Sequence, residues 1–216
     1  MTTSPAARAP IAGHEHAFEP GTTGWTLLLL HGTGGDEHDL LQLGRQLAPG
    51  AALLSPRGRV LEGGVTNRFF ARRAANDIDI DDLRLRTDEL ATFIREATSS
   101  YELDPARIVA LGYSNGANIA LATLLRHPGL LRGAVLLRPV LYDAPSELPD
   151  LTGTTVLAAA GARDPYTPPE VIEHLRDVLT RAGTELELRV DPLAGHALAQ
   201  GDLGAAATWV RTLLDA

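Results

Sequence analysis

The chain contains no cysteine. That absence excludes disulfides, a thiolate nucleophile and a thiolate-ligated metal, so any chemistry falls to other side chains. Long apolar runs are missing too. The four leucines at residues 27–30 are far too few to cross a bilayer, which takes about 20 residues, and the Ala/Pro/Thr-rich opening at residues 1–12 lacks the apolar centre of a signal peptide. A cytoplasmic protein without stable membrane insertion is the simplest expectation. Positive charge is scarce: 19 Lys and Arg against 27 Asp and Glu leave a net charge of -8, which argues against a nucleic-acid partner because phosphate binding needs a basic face. No G-x-x-x-x-G-K-[ST] loop occurs, and Gly32, Gly34 and Gly35 do not complete G-x-G-x-x-G, whose last glycine would fall at Glu37. The acidic run from Asp77 to Asp82 imitates a calcium loop, yet its sixth position is Asp82 where glycine is required and its twelfth is Asp88 rather than glutamate. Nothing in these patterns calls for a metal or a cofactor.

What the chain does have is an ordinary globular composition, 44% hydrophobic and 21% charged over 216 residues, enough for one domain with a substantial core. Residues 1–12 are expected as a flexible tail and residues 13–216 as a single α/β domain. Short apolar runs at residues 25–30, 51–54, 107–111, 133–137 and 154–160 predict strands buried on both faces, as in a parallel sheet. Residues 14–18 are expected as an edge strand and 185–190 as an outer one. Helices are predicted from Leu40 to Leu47, through Leu83, Leu90, Phe93, Ile94 and Ala97, from 115 to 126, after Pro168, and from 203 to 214. The acids at 36–39 are expected to cap the first of these, and Thr167 with Glu170 to form a capping box. Only some fifteen residues separate the strands at 133–137 and 154–160, too few for a large helical lid, which predicts an open, shallow site.

The chemistry gathers around Gly112-Tyr113-Ser114-Asn115-Gly116, placed between an apolar strand and an Ala/Leu-rich helix. Strand, sharp turn and helix make the setting of a nucleophile elbow, where a serine in a strained turn needs glycine two positions before and after it. Ser114 is the candidate nucleophile. Two partners follow in a suitable order: Asp164, just past the strand at 154–160, and His196, in the loop after the last strand. Such an aspartate can hold the imidazole tautomer while the histidine takes the serine proton. Asp191 competes for the acid role, although Asp164 has the better position at a strand end. The turn His31-Gly32-Thr33-Gly34-Gly35 follows a buried strand, so the N–H of Thr33 and that of Asn115 are the expected oxyanion donors. Residues 59–79 are expected to be irregular, and Arg57, Phe69 and Phe70 are candidates for the wall of a substrate pocket. Surface arginines over a buried phenylalanine pair are the equally available alternative.

With the blocks at residues 30–37 and 55–58, the elbow 112–118, the Asp164 loop and Gly195-His196 in this order, the sequence resembles the α/β-hydrolase superfamily and, within it, the small phospholipase/carboxylesterase family that includes acyl-protein thioesterases. Asn115 and Ala117-Asn118 depart from the thioesterase elbow, and the chain looks more like the bacterial carboxylesterase branch. Dienelactone hydrolases share the fold but use a cysteine nucleophile, which this chain lacks. The resemblance implies an α/β-hydrolase fold without a large lid, a triad of Ser114, Asp164 and His196, and hydrolysis of small or short-to-medium acyl esters. An acyl-thioesterase, a lysophospholipase and a non-catalytic ligand-binding homologue remain as alternatives. The edge at residues 14–18, or the last strand and helix, could support a homodimer.

Overall fold

In the computed structural model, which describes residues 9–74 and 77–215, seven strands form one sheet with helices on both faces. In chain order the elements are β1 (His16–Glu19), β2 (Thr26–Leu30), α1 (Leu41–Leu47), β3 (Ala52–Pro56), β4 (Val60–Glu62), β5 (Thr66–Arg68), β6 (Arg72–Ala74), β7 (Asp77–Ile78), α2 (Ile80–Ser100), β8 (Ile108–Tyr113), α3 (Asn115–Arg126), β9 (Gly133–Leu137), β10 (Thr155–Gly161), α4 (Pro169–Arg181), β11 (Glu185–Asp191) and α5 (Gln200–Leu214). The large sheet runs β1-β3-β2-β8-β9-β10-β11, parallel throughout except for the antiparallel edge pair β1–β3.

Continuous apolar strands are what a sheet covered on both faces requires, and β2 shows why. Leu28 and Leu30 point into a core shared with α2, α3 and α4, while Leu27 and Leu29 point into a second core with α1 and α5. All four are at most 1% exposed, each contributing roughly 1.5–3 kcal/mol by burial. Ser114, Asp164 and His196 all follow the C-terminal ends of parallel strands, where an open α/β sheet places its ligands.

Several local expectations differ from the observed structure. The stretch after β3 is not irregular but folds into two small antiparallel hairpins, β4–β5 and β6–β7. The acids at 36–39 do not cap α1: the cap is Leu40 without a side-chain bond, Asp36 accepts from the N–H of His38 at 2.8 Å, and Glu37 turns to Arg57. Thr167 forms no capping box; its hydroxyl faces the carbonyl of Gly161 instead. Asp79 does cap α2, accepting from the N–H of Asp82 at 3.2 Å. Residues 1–8 of the expected tail lie outside the described residues, whereas Ile11 exchanges backbone bonds with His14 and, with Ala12, packs on the larger core. No described helix is long and apolar enough to cross a membrane.

Candidate active site

Ser114 stands between β8 and α3 with φ 51° and ψ -113°. A non-glycine residue at positive φ costs on the order of 1–3 kcal/mol and persists only where its surroundings leave no alternative. Here they do not. Its N–H donates to Leu137 O at 2.8 Å, and its carbonyl accepts from Asn118 N–H at 2.9 Å. A Cβ on Gly116 would lie 1.9 Å from Leu30 O, and one on Gly112 would lie 2.5 Å from Gly116 O, so the turn closes only with glycine at both positions.

His196 bridges the serine and the acid. Its Nδ1 is 2.8 Å from Asp164 Oδ2 and its Nε2 is 2.8 Å from Ser114 Oγ. An ionised carboxylate only accepts, so Nδ1 carries the proton to Asp164, and Nε2 is left to accept from the serine hydroxyl. The Asp164 side chain is fully buried, and its other oxygen accepts from Tyr166 N–H at 2.9 Å. Asp191 is committed elsewhere: its Oδ1 accepts from the N–H groups of Leu193 and Ala194 and shapes the loop that carries the histidine. The arrangement can deprotonate a hydroxyl at the moment it attacks an electrophile.

Thr33 and Asn115 both line the cleft beside Ser114. Asn115 opens α3, so its N–H has no intrahelical acceptor and lies at the positive end of the helix dipole. The turn carrying Thr33 is braced from several sides. His31 donates from Nδ1 to Gly32 O at 2.7 Å and accepts Gly58 N–H at Nε2 at 2.9 Å, while burial lowers its pKa and keeps it neutral. Gly34 N–H donates to Asn67 O, and Arg68 Nη1 donates to Thr33 Oγ1 at 3.0 Å.

Phe69 and Phe70, expected on the pocket wall, are instead 2% and 0% exposed and belong to the core. The reason lies in the elbow: Asn115 Oδ1 accepts Phe69 N–H at 2.7 Å and draws that segment under the site. Arg57 is also outside the cleft, bound through Nε and Nη2 to Glu37 at 2.5 and 2.7 Å and through Nη1 to Glu15 at 2.7 Å. The cleft, a cavity of about 280 Å³, is walled by Arg68, Arg72, Tyr113, Tyr142 and Tyr166 around Ser114 and His196. Burial pulls the Arg68 guanidinium below its usual pKa, and Arg72 pairs with Glu62 at 2.8 Å. The basic cluster at 57–73 was visible in the sequence, but which of its members face the cleft depends on the two hairpins. Among the described residues no cluster of side chains could hold a metal ion.

A mostly parallel sheet between two helical layers, with a serine elbow, an acid and a histidine at its C-terminal ends, defines an α/β-hydrolase. Residues 67–208 match the model of the dienelactone hydrolase family, and the chain belongs to that family. Its elbow carries serine where cysteine was the expected mark of dienelactone hydrolases. The chain is 43% identical over 197 residues to MhqD of Bacillus subtilis (strain 168), named as a hydrolase, with 91% of this chain and 98% of MhqD covered. The carboxylesterase of Bacillus cereus superposes with a TM-score of 0.88 at 41% identity, covering 92% of this chain and 94% of that one. The carboxylesterase of Mesorhizobium loti gives 0.85 at 32% identity, covering 95% and 97%. The chain is a hydrolase.

Proposed function

We propose that the protein is a serine carboxylesterase that cleaves small acyl esters through an acyl-enzyme on Ser114. The observation that carries this reading is the continuous hydrogen-bonded chain from Asp164 through His196 to Ser114 Oγ. In the first half-reaction Ser114 Oγ attacks the ester carbonyl as His196 Nε2 takes its proton. The oxyanion is held by the N–H groups of Thr33 and Asn115, each such donor being worth about 2.7–4 kcal/mol in the barrier. Collapse of the intermediate breaks the ester C–O bond, and the imidazolium gives its proton to the departing alcohol. Water then attacks the acyl-enzyme with His196 again as base, releasing the acid and restoring Ser114. Neither half-reaction draws on a cofactor.

A cavity of about 280 Å³ falls at the small end of ligand pockets, which favours compact acyl groups over long chains. The carboxylesterase relatives support the ester over the thioester. The reading extends to a cytoplasmic enzyme that requires no nucleic acid or membrane, and size-exclusion chromatography reads whether it forms a homodimer. The central test is hydrolysis of p-nitrophenyl esters from acetate to palmitate by the wild type and by Ser114→Ala at matched folding. A short-chain optimum that vanishes in the variant is expected. Activity retained by Ser114→Ala would remove the serine mechanism, and a palmitate optimum would move the substrate to lipid or acyl-protein.

A further inference from the structure

The loop that carries His196 has no regular structure, and Leu193 on it is 69% exposed. Yet three consecutive carbonyls around the histidine are each held by a side chain from the sheet. Arg138 Nε donates to Gly195 O at 2.8 Å, Tyr113 Oη to His196 O at 3.2 Å, and Arg138 Nη2 to Ala197 O at 2.9 Å. Arg138 follows β9 directly and is 0% exposed. It also reaches Asp202 Oδ2 at 2.6 Å and Ala159 O at 3.2 Å, so four of its five N–H donors are used. Asp202 in turn accepts Ala199 N–H at 2.7 Å and fixes the entry into α5 just past the loop.

Two features mark this as more than a buried ion pair. A guanidinium sealed from water is costly unless its charge and donors are all met, and an apolar side chain would fill the space with less penalty. Arg138 also adopts φ 58°, the left-handed region that a side chain of its size ordinarily avoids. Backbone strain and buried charge are both spent on gripping one loop. A rigid planar fork can hold two carbonyls two residues apart, which the single ammonium of lysine cannot do.

We infer that Arg138, with Tyr113, is a positioning residue that fixes the His196 loop and so the aim of the imidazole at Ser114 Oγ. The inference rests on the serine-esterase reading above. It assigns to Arg138 no contact with the substrate: its effect passes through the placement of His196, so its loss falls on kcat and leaves KM nearly unchanged.

The test compares the wild type with Ser114→Ala, Arg138→Lys and the double variant Arg138→Met/Asp202→Asn, which removes the fork without stranding a buried charge. Hydrolysis of p-nitrophenyl acetate gives kcat and KM, thermal unfolding gives the folded fraction, and proton NMR follows the low-field His196 Nδ1–H resonance against Asp164. For both Arg138 changes kcat is expected to fall roughly 10- to 100-fold with KM within about twofold, and the low-field resonance to broaden. Folded variants with wild-type kcat and an unchanged resonance would overturn the inference while leaving the serine mechanism standing. Activity surviving Ser114→Ala would instead defeat the serine mechanism, and the inference with it. If neither Arg138 variant folds, Tyr113→Phe decides, since it deletes the middle bond and leaves the charge pair intact. There kcat is expected to fall about three- to tenfold, with KM within about twofold and the low-field resonance broadened. An unchanged kcat, or a loss that falls on KM as for a lost contact of this cleft-lining ring, would overturn the inference.

Discussion

The two residues that meet across the cleft are held by opposite means. Ser114 is fixed by main chain: its own N–H and carbonyl are bonded, and glycines on either side let β2, β8 and α3 close on it. His196 is fixed by side chains of residues far from it in sequence, Asp164, Tyr113 and Arg138. A main-chain fixing tolerates no added atom but asks for little more than glycine. A side-chain fixing survives trimming, and what it loses is alignment. Substitutions at the glycines that seat the serine should therefore cost stability, and those at the side chains that hold the histidine should cost rate.

The sharpest probe of this contrast is Asp164→Asn. Loss of the carboxylate leaves the imidazole in the wrong tautomer, with kcat on p-nitrophenyl acetate expected to fall about 10⁴-fold, roughly 5.5 kcal/mol in the barrier. The folded state should persist, as read by circular dichroism. Gly116→Ala should do the reverse. Its Cβ would meet Leu30 O at 1.9 Å, so backbone must move, and a loss of more than about 3 kcal/mol is expected in urea titration.

A histidine outside the cleft supplies a comparison of another kind. His14 is buried against the Phe93 ring and donates to Arg57 O, and burial lowers its pKa from 6.5 to about 4. Between those values the unfolded chain binds a proton that the folded chain refuses, so stability is complete above pH 6.5 and is lost as pH falls toward 4. The loss is about 3 kcal/mol from this group, with His31 acting in the same direction. His14→Leu should flatten that slope in denaturant midpoints measured at pH 7 and 4.5. The smallest effect is expected at Leu193→Ser, in the same loop as His196 but 69% exposed, where stability should stay within about 0.5 kcal/mol.

These differences also explain what could be seen in the sequence. The elbow was legible because its signature, a serine between two glycines, falls within five consecutive residues between an apolar strand and a helix, although the atoms that enforce it, Leu30 O and Leu137 O, come from β2 and β9. The buried strands were legible for a similar reason, since continuous apolar runs such as those in β2 and β9 have few other uses. Phe69 and Phe70 misled because their place is set by Asn115, 46 residues from Phe69. Glu37 looked like a cap because the partner that claims it, Arg57, lies 20 residues on, whereas Asp36 and Thr167 are claimed by groups close by in the chain, the N–H of His38 and the carbonyl of Gly161. Arg138, before a proline and after an apolar strand, carried no mark at all of its role near residues 195–197.

The crossing from β9 to β10, residues 138–154, contains no helix, and its Val140 N–H is bonded to Asn118 Oδ1 at 2.7 Å. On this side, therefore, the cleft is bordered by a bonded rim and carries no helical lid. Turnover in such an enzyme should be insensitive to solvent viscosity until it approaches the encounter limit. It should also show no jump in rate when a dispersed ester begins to form droplets, because no part of this crossing waits for an oil–water boundary to open it.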